Sequence, residues 1–293
     1  MSSPIRTVST IGIMGFGAFG RLMARHLLPH FALRICDPAN APAPDAAGKG
    51  LRSATAAEVA ACELVILAVP VPAIPEAIAA LRPHLKAGAI VLDVGSVKIG
   101  PARAMQAALP DDVEIIGTHP LFGPQSARNG LSGLKIALCP IRGAEAFSSE
   151  LGTGSREENT VKHRSSTPRI AAFLRHVLKL KVIVTTADAH DREVAMVQGL
   201  THLIAKILVR MEPLPRTMTT ASFELLMQAT EMVRHDAPNV FMAIERANPH
   251  AKAVRDRFFA LAEEMRLFLE NGHLEAAQPA AALPHKVAEI AQA

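Results

Sequence analysis

The stretch IGIMGFGAFGRLMARHLL, residues 11–28, decides the fold. It opens as an apolar β-like run, closes as an amphipathic helical pattern, and holds Gly15-x-Gly17-x-x-Gly20 at the junction. Glycines at that spacing permit a tight strand-to-helix turn and let the backbone approach a pyrophosphate, whose charge the helix N-terminus attracts. The spacing alone is a weak signal. Here a strand precedes it, a helix follows it, and the next β-like run, FALRICD (31–37), ends in Asp37, 17 positions beyond Gly20. A carboxylate at the end of the second strand accepts hydrogen bonds from ribose hydroxyls and repels a 2′-phosphate. Pro38, Ala39 and Asn40 come next, with no arginine among them to receive such a phosphate, so NAD is expected in preference to NADP.

The same alternation of runs and helical stretches continues to about residue 186. The runs are TIGIMG (10–15), FALRICD, LVILAVP (64–70), AIVLDVG (89–95), VEIIGTH (113–119), LKIALCP (134–140) and KVIVTT (181–186). Continuous apolar strands joined by helical crossovers imply a parallel sheet covered on both faces, with ligand-contacting groups at the carboxyl ends of its strands. Cofactor contacts are therefore expected from Gly15, Phe16, Gly17, Ala18, Phe19, Gly20 and Asp37, and from Val69, Pro70 and Ser96 at later strand ends. The polar, turn-rich residues 143–166 read as a mobile loop within this 1–186 domain. After residue 187 the alternation stops. Three long helical patterns, 188–210, 217–235 and 238–270, carry Leu, Ile, Met and Phe on more than one face. Helices that are apolar all round need partners to bury them. The expected fold is an α/β Rossmann-type dinucleotide-binding domain followed by an all-α dimerisation domain at 187–274, with an Ala/Pro-rich tail at 275–293.

Composition narrows the function. The 293 residues suffice for two domains on a scale of roughly 100–200 residues each, and an apolar fraction of 49% excludes global disorder. A net charge of +4 suits a small anionic substrate. It is too weak and scattered for nucleic acid, and with Trp and Tyr absent there is no aromatic-interleaved basic run. Cys36, Cys62 and Cys139 lie in or beside apolar runs without CxxC spacing, as buried free thiols of a reducing compartment would. MSSPIRTVST has no signal or transit pattern, and no apolar run approaches the ~20 residues that span a bilayer. A cytoplasmic protein is expected, with no membrane contact, no metal and no appended regulatory domain.

Two adjacent strand ends carry reactive side chains. LDVGSVK places Ser96 and Lys98 beyond the fourth run, and IIGTHPLFGPQSA places His119 at the end of the fifth, followed by Pro120. Proline disfavours helix for the residue before it, which holds His119 extended on a stiff loop. An imidazole is the natural acceptor for a hydroxyl proton during hydride transfer. Ser96 alone reads as a turn serine; beside His119 it reads as an orienter of the base.

GTHPLFGPQSA (117–127), DVGSVK (93–98) and AHDREVAMVQGLTHLIAK (189–206) together resemble the prephenate/arogenate dehydrogenase family of tyrosine biosynthesis, in particular its short, plant-arogenate-dehydrogenase-like branch. The resemblance extends from the glycine loop to the helix around Phe241. It implies NAD-dependent oxidative decarboxylation of a small anionic cyclohexadienyl substrate, with His119 accepting the ring hydroxyl's hydrogen bond, Ser96 supporting it, and a homodimer as partner state. It also implies that His202, Gln198 and neighbouring residues bind the substrate from the helical domain. Ala189 stands where the family often has Glu. The arginine that holds the substrate carboxylate in some bacterial members has no clear counterpart, Met232 or Thr230 lying near its place, so Lys206 and Arg192 take its role in this reading. Thr219 falls at the position of an acidic arogenate selector, which tilts the reading toward prephenate. Rival readings are a β-hydroxyacid dehydrogenase using Lys206, a dehydrogenase of 4-amino-4-deoxyprephenate, and a dinucleotide-sensing regulator without catalysis.

Overall fold

The structure, a computed structural model, describes residues 8–40, 50–143, 165–236 and 238–271. The expected tail, and most of the expected loop at 143–166, lie outside the described residues. Within them one sheet contains β1 (Thr10–Met14), β2 (Ala32–Cys36), β3 (Leu51–Ser53), β4 (Leu64–Leu67), β5 (Ile90–Asp93), β6 (Glu114–Pro120), β7 (Lys135–Arg142) and β8 (Lys181–Val184). Their spatial order is β3-β2-β1-β4-β5-β6-β7-β8. β1 to β6 run parallel. The order reverses between β1 and β4, and the crevice at that reversal is where such sheets bind dinucleotides.

Alternate residues of the central strands face opposite sides. Ile11, Ile13, Ile66 and Leu92 join the core under α1 (Ala18–Leu27) and α5 (Thr167–His176). Val65, Leu67, Val91 and Ile115 join the core under α2 (Ala56–Ala60), α3 (Ile74–Leu81) and α4 (Ile99–Ala108). Both faces are covered, which is why the strands read as unbroken apolar runs. Each fully buried Leu or Ile contributes about 1.5–3 kcal/mol.

The sheet is not wholly parallel, which corrects the expectation from sequence. β7 runs antiparallel to β6, and β8 parallel to β7. The connection from β6 to β7 forms turns and no helix, and a return without a crossover helix makes neighbours antiparallel. Crossover α5 then carries the chain on to β8. β3, with the sequence LRS, had no apolar run to announce it.

Pro120 lies inside β6 and not on a loop after it. β5 ends at Asp93, opposite Gly117, so Thr118–Pro120 have a free edge on that side. Leu121 N–H donates to the Lys135 carbonyl, so by antiparallel alternation Pro120 falls at a position that owes β7 no hydrogen bond. The missing N–H therefore costs the ladder nothing, and β6 carries His119 rigidly past the end of β5.

Helices follow the sheet: α6 (Ala187–Val194), α7 (Leu200–Arg210), α8 (Ala221–Arg234), α9 (Pro238–Met242) and α10 (Ala251–Asn271). α6 and α7 form one run with a π turn at Ala195–Gly199. The third helical pattern is broken, contrary to expectation. A second π turn, Ala243–Ala247, ends at an extended Asn248 (ψ 116), forced out of helix by Pro249. No helix among the described residues is long and apolar enough to cross a membrane.

Candidate active site

The glycine loop has the shape that its spacing implies. Gly15 has φ +100, and a Cβ there would stand 2.4 Å from the Ala68 carbonyl oxygen and 3.1 Å from Val69 Cγ1. A Cβ on Gly20 would stand 2.4 Å from the Gly15 oxygen, which locks α1 against the loop. Above Gly17 there is open space, with nothing within 4 Å of a built Cβ. Gly17 caps α1 without any side-chain hydrogen bond, and the first turn holds no acidic residue. The N-terminal amides are thus claimed by no capping side chain, and bare backbone faces the crevice. This arrangement fits a pyrophosphate.

Asp37 is anchored to this loop. Its Oδ2 accepts from Phe16 N–H at 2.6 Å, and its Oδ1 accepts from the amides of Ala39 (2.8 Å) and Asn40 (2.9 Å). Partial burial works against ionisation, but these hydrogen bonds outweigh it and hold the carboxyl below its ordinary value. Half-buried Val69 and exposed Pro70 leave β4 beside Gly15. Exposed Gly17 and Ala18 border the crevice, whereas the ring of Phe19 packs against Phe122 at 6.3 Å, leaving its backbone to the loop. One group escaped the sequence reading. Arg21 of α1 lies 5.1 Å over the Phe16 ring and donates to Asn40 Oδ1 at 3.1 Å, so a cation does reach the end of β2.

At the exits of β5 and β6 the structure replaces the expected Ser96–His119 pair with a different network. Ser96 is half-buried on its turn, but His119 Nδ1 is 2.8 Å from His190 Nε2 on α6. His190 Nδ1 is in turn 2.8 Å from Asp191 Oδ1. Fully buried Asp191 also accepts the Lys98 amide on Oδ1 (2.7 Å) and the Ile99 amide on Oδ2 (2.9 Å), which makes it the cap of α4. Asn248 Nδ2 donates to the Asp191 carbonyl at 2.7 Å and fixes this turn of α6 from behind. The side chain that meets His119 Nδ1 in the structure is therefore His190. The HD pair signalled it, but nothing in the sequence placed α6 against the exit of β6.

Beneath this network Lys98 and Asp93 form a fully buried ion pair. Lys98 Nζ also donates to the Thr118 carbonyl at 2.7 Å, and Asp93 Oδ2 accepts from Gly95 N–H at 2.9 Å. The pair thus ties the turn that carries Ser96 to the strand that carries His119. Burial pushes the Asp93 carboxyl up, partly offset by the Lys98 ammonium. Burial, then His190 and Lys98, push His119 well below the ordinary imidazole value, so it is neutral at pH 7. Burial raises the Cys139 thiol to about 12, which removes it as a nucleophile.

The π turn brings Gln198 to the same place. Its Nε2 lies 3.4 Å from His119 Nε2, while its Oε1 is buried without a protein partner. One turn on, His202 faces the Gln198 carbonyl with Nδ1 (2.8 Å) and Asp236 with Nε2 (3.0 Å), and half-buried Lys206 follows a turn later. The other nominated residues do not join the cluster. Arg192 is exposed and paired with Asp188, two positions from His190 and so on another side of α6. Thr230 is buried and donates to the Leu226 carbonyl, and Met232 is exposed. Thr219 donates to Glu224 Oε1 at 2.6 Å, which places a carboxylate beside the supposed selector position.

The family model described as prephenate dehydrogenase, nucleotide-binding domain, matches residues 36–148, the span that holds Ser96, Lys98 and His119. The chain is similar to prephenate and arogenate dehydrogenases. A probable arogenate/prephenate dehydrogenase of Methanocaldococcus jannaschii is 25% identical over 219 residues, 71% of this chain and 44% of that protein. Chloroplastic arogenate dehydrogenase 1 of Arabidopsis thaliana is 23% identical over 262 residues, 87% of this chain and 38% of that protein. The chain thus spans less than half the length of these two relatives. The fold resembles that of Aquifex aeolicus prephenate dehydrogenase, solved with hydroxyphenyl propionate and NAD⁺, at a TM-score of 0.63 and 18% identity, covering 91% of this chain and 92% of that one.

Proposed function

We propose that this protein catalyses the NAD-dependent oxidative decarboxylation of prephenate to 4-hydroxyphenylpyruvate, in tyrosine biosynthesis and in the cytoplasm. The observation that carries the reading is His119, a neutral, buried imidazole held at a strand exit of a dinucleotide-type sheet, with Gln198 offering an unpartnered amide oxygen beside it. The cradle around Gly17 fits a dinucleotide, whose nicotinamide would supply the hydride acceptor. His119 draws on the proton of the ring hydroxyl as the carbon bearing it is oxidised. The ketone formed is linked through the ring double bonds to the carbon that carries the ring carboxylate, so carbon dioxide departs, its bonding electrons flow through the ring to the ketone oxygen, and aromatisation makes the step irreversible. Ser96 borders the reacting ring, Gln198 and His202 line it from the helical side, and Lys206 meets a substrate carboxylate. The orphaned Gln198 Oε1 supports its contact with a substrate hydroxyl.

Thr219 carries no charge to meet an ammonium, which favours prephenate. The Glu224 carboxylate bonded to it gives arogenate, with tyrosine as product, as the second reading. Steady-state assays with prephenate and arogenate, each with NAD⁺ and NADP⁺, test the proposal. The highest kcat/KM is expected for prephenate with NAD⁺. Arg21 at the end of β2 leaves NADP⁺ usable at lower efficiency, and Asp37→Ser narrows the gap. No turnover of either substrate, or a preference for NADP⁺, contradicts the reading.

The helices after the sheet support a homodimer. α8 buries only Thr230, while Leu225, Met232, Phe259, Met265 and Leu269 on α8 and α10 are exposed. Such apolar surface on two helices that each pack against α7 needs cover, and a second copy supplies it. Sedimentation is expected to show a dimer at micromolar concentration; a stable monomer overturns this assignment.

A further inference from the structure

The buried cluster around His119 contains one more assignment, resting on the proposed role of His119 as base. We propose that Asp191 and His190 form a relay that fixes His119 as its Nδ1–H tautomer and leaves Nε2 as the basic nitrogen. His190 and Asp191 are positioning residues: they reach the substrate only through His119.

The chain of bonds has a direction. Asp191 is an acceptor only, and its two oxygens already take the amides of Lys98 and Ile99 at the N-terminus of α4. It thus offers only acceptors, and His190 Nδ1, 2.8 Å from Oδ1, carries a proton and donates it. With that proton fixed, a neutral His190 has only a lone pair at Nε2. The partner 2.8 Å away, His119 Nδ1, must then be the donor. A neutral His119 that donates from Nδ1 has its lone pair on Nε2, and that nitrogen faces the amide NH₂ of Gln198 at 3.4 Å.

The competing arrangement protonates His190 on both nitrogens and reverses the second bond, so that His119 carries its proton on Nε2. Charge balance disfavours it. Asp93 is matched by Lys98, and Asp191 by two backbone amides and the α4 dipole. An imidazolium at His190 adds an unmatched cation to a site where His190 is 4% exposed and Lys98 fully buried. It also presents His119 with an Nε2–H that points at the Gln198 amine unless that amide turns over.

The relay has two consequences. It selects the tautomer, as the carboxylate of a serine-protease triad does for its histidine. It also joins the two parts of the chain, since His119 and α4 belong to the sheet domain and His190 and Asp191 to α6. The base is oriented only when α6 is seated on α4.

The test is ¹⁵N nuclear magnetic resonance of the full chain labelled at histidine, with the His119 signals assigned by their loss in His119→Asn. The expected spectrum shows a protonated-type Nδ1 and a bare-type Nε2 for His119, with a coupling or exchange-protected proton on Nδ1. In His190→Leu, which removes the acceptor, the Nε2–H form appears and kcat falls roughly 10²–10⁴-fold, with NAD⁺ affinity within about twofold. His190→Gln offers a carbonyl to Nδ1–H, restores the wild-type tautomer and recovers about tenfold of the loss. An Nε2–H tautomer in the wild-type protein overturns the relay, as does His190→Gln matching His190→Leu in both spectrum and rate. The spectrum requires no substrate, so it judges the relay even if the proposed reaction fails.

Discussion

His119→Asn is expected to lower kcat by roughly 10²–10⁴-fold while leaving NAD⁺ affinity and the unfolding midpoint near their wild-type values. Asparagine keeps a polar side chain of similar reach and can still meet His190, so the buried pocket is not left with an unpartnered histidine. What it loses is a nitrogen that takes a proton. The glycine loop lies on the far side of β4 and β5 in the strand order, and the groups crowding Gly15 and Gly20 are Ala68, Val69 and the loop itself. Isothermal titration with NAD⁺ beside steady-state rates separates the two effects. A merely structural histidine predicts the reverse pattern, with stability and cofactor binding lost and the turnover of folded protein preserved.

Lys98→Met is expected to cost the fold about 3–5 kcal/mol, the scale for removing one partner from a buried ion pair. Asp93 is left fully buried with its charge unmatched, and the Thr118 carbonyl loses its donor. Methionine fills most of the lysine stem's volume, so the loss reports charge and hydrogen bonding more than a cavity. Replacing Asp93 with Asn in the same chain is expected to recover part of the loss, because no buried charge then remains. Urea unfolding followed by circular dichroism checks both variants. A shift under about 1 kcal/mol for Lys98→Met would show that Asp93 takes a proton at little cost and that the pair is not a structural tie.

Much of the nucleotide half was legible because its signals are local. A run, a glycine turn and a helix are adjacent in sequence, and Asp37 follows at a spacing set by one βαβ unit. The two covered faces of the sheet show as unbroken apolar runs. The reversal of β7 was not legible, because LKIALCP has the same character whichever way it runs; the helix-free connection before it decided the direction. β3 was too short to leave a pattern. His119 and Ser96 were found as strand-end side chains, but their pairing was inferred from adjacent strands, and the structure gave the histidine a partner from 71 positions away. Tertiary docking of α6 on α4 set that contact, and no local periodicity encodes it. Lys98 was visible at a strand exit, where a lysine reads as solvated; Asp93 and the Thr118 carbonyl, brought together by neighbouring strands, explain its burial. Arg21 was overlooked because the cation was sought after Asp37, whereas α1 delivers it from before.

The central claim is that a neutral His119 accepts the substrate's proton, and the pH profile of kcat/KM tests it most directly. Burial, His190 and Lys98 all disfavour the protonated ring, so its folded-state value lies below the ordinary value of 6.5. The active form is the deprotonated one. Activity should therefore be full at neutral pH, persist as the pH drops through 6.5, and fall only at the lowered value. The residual activity of His119→Asn should lack that acidic limb. An acidic limb at or above 6.5 in the wild-type protein, or the same limb retained in His119→Asn, would contradict the account.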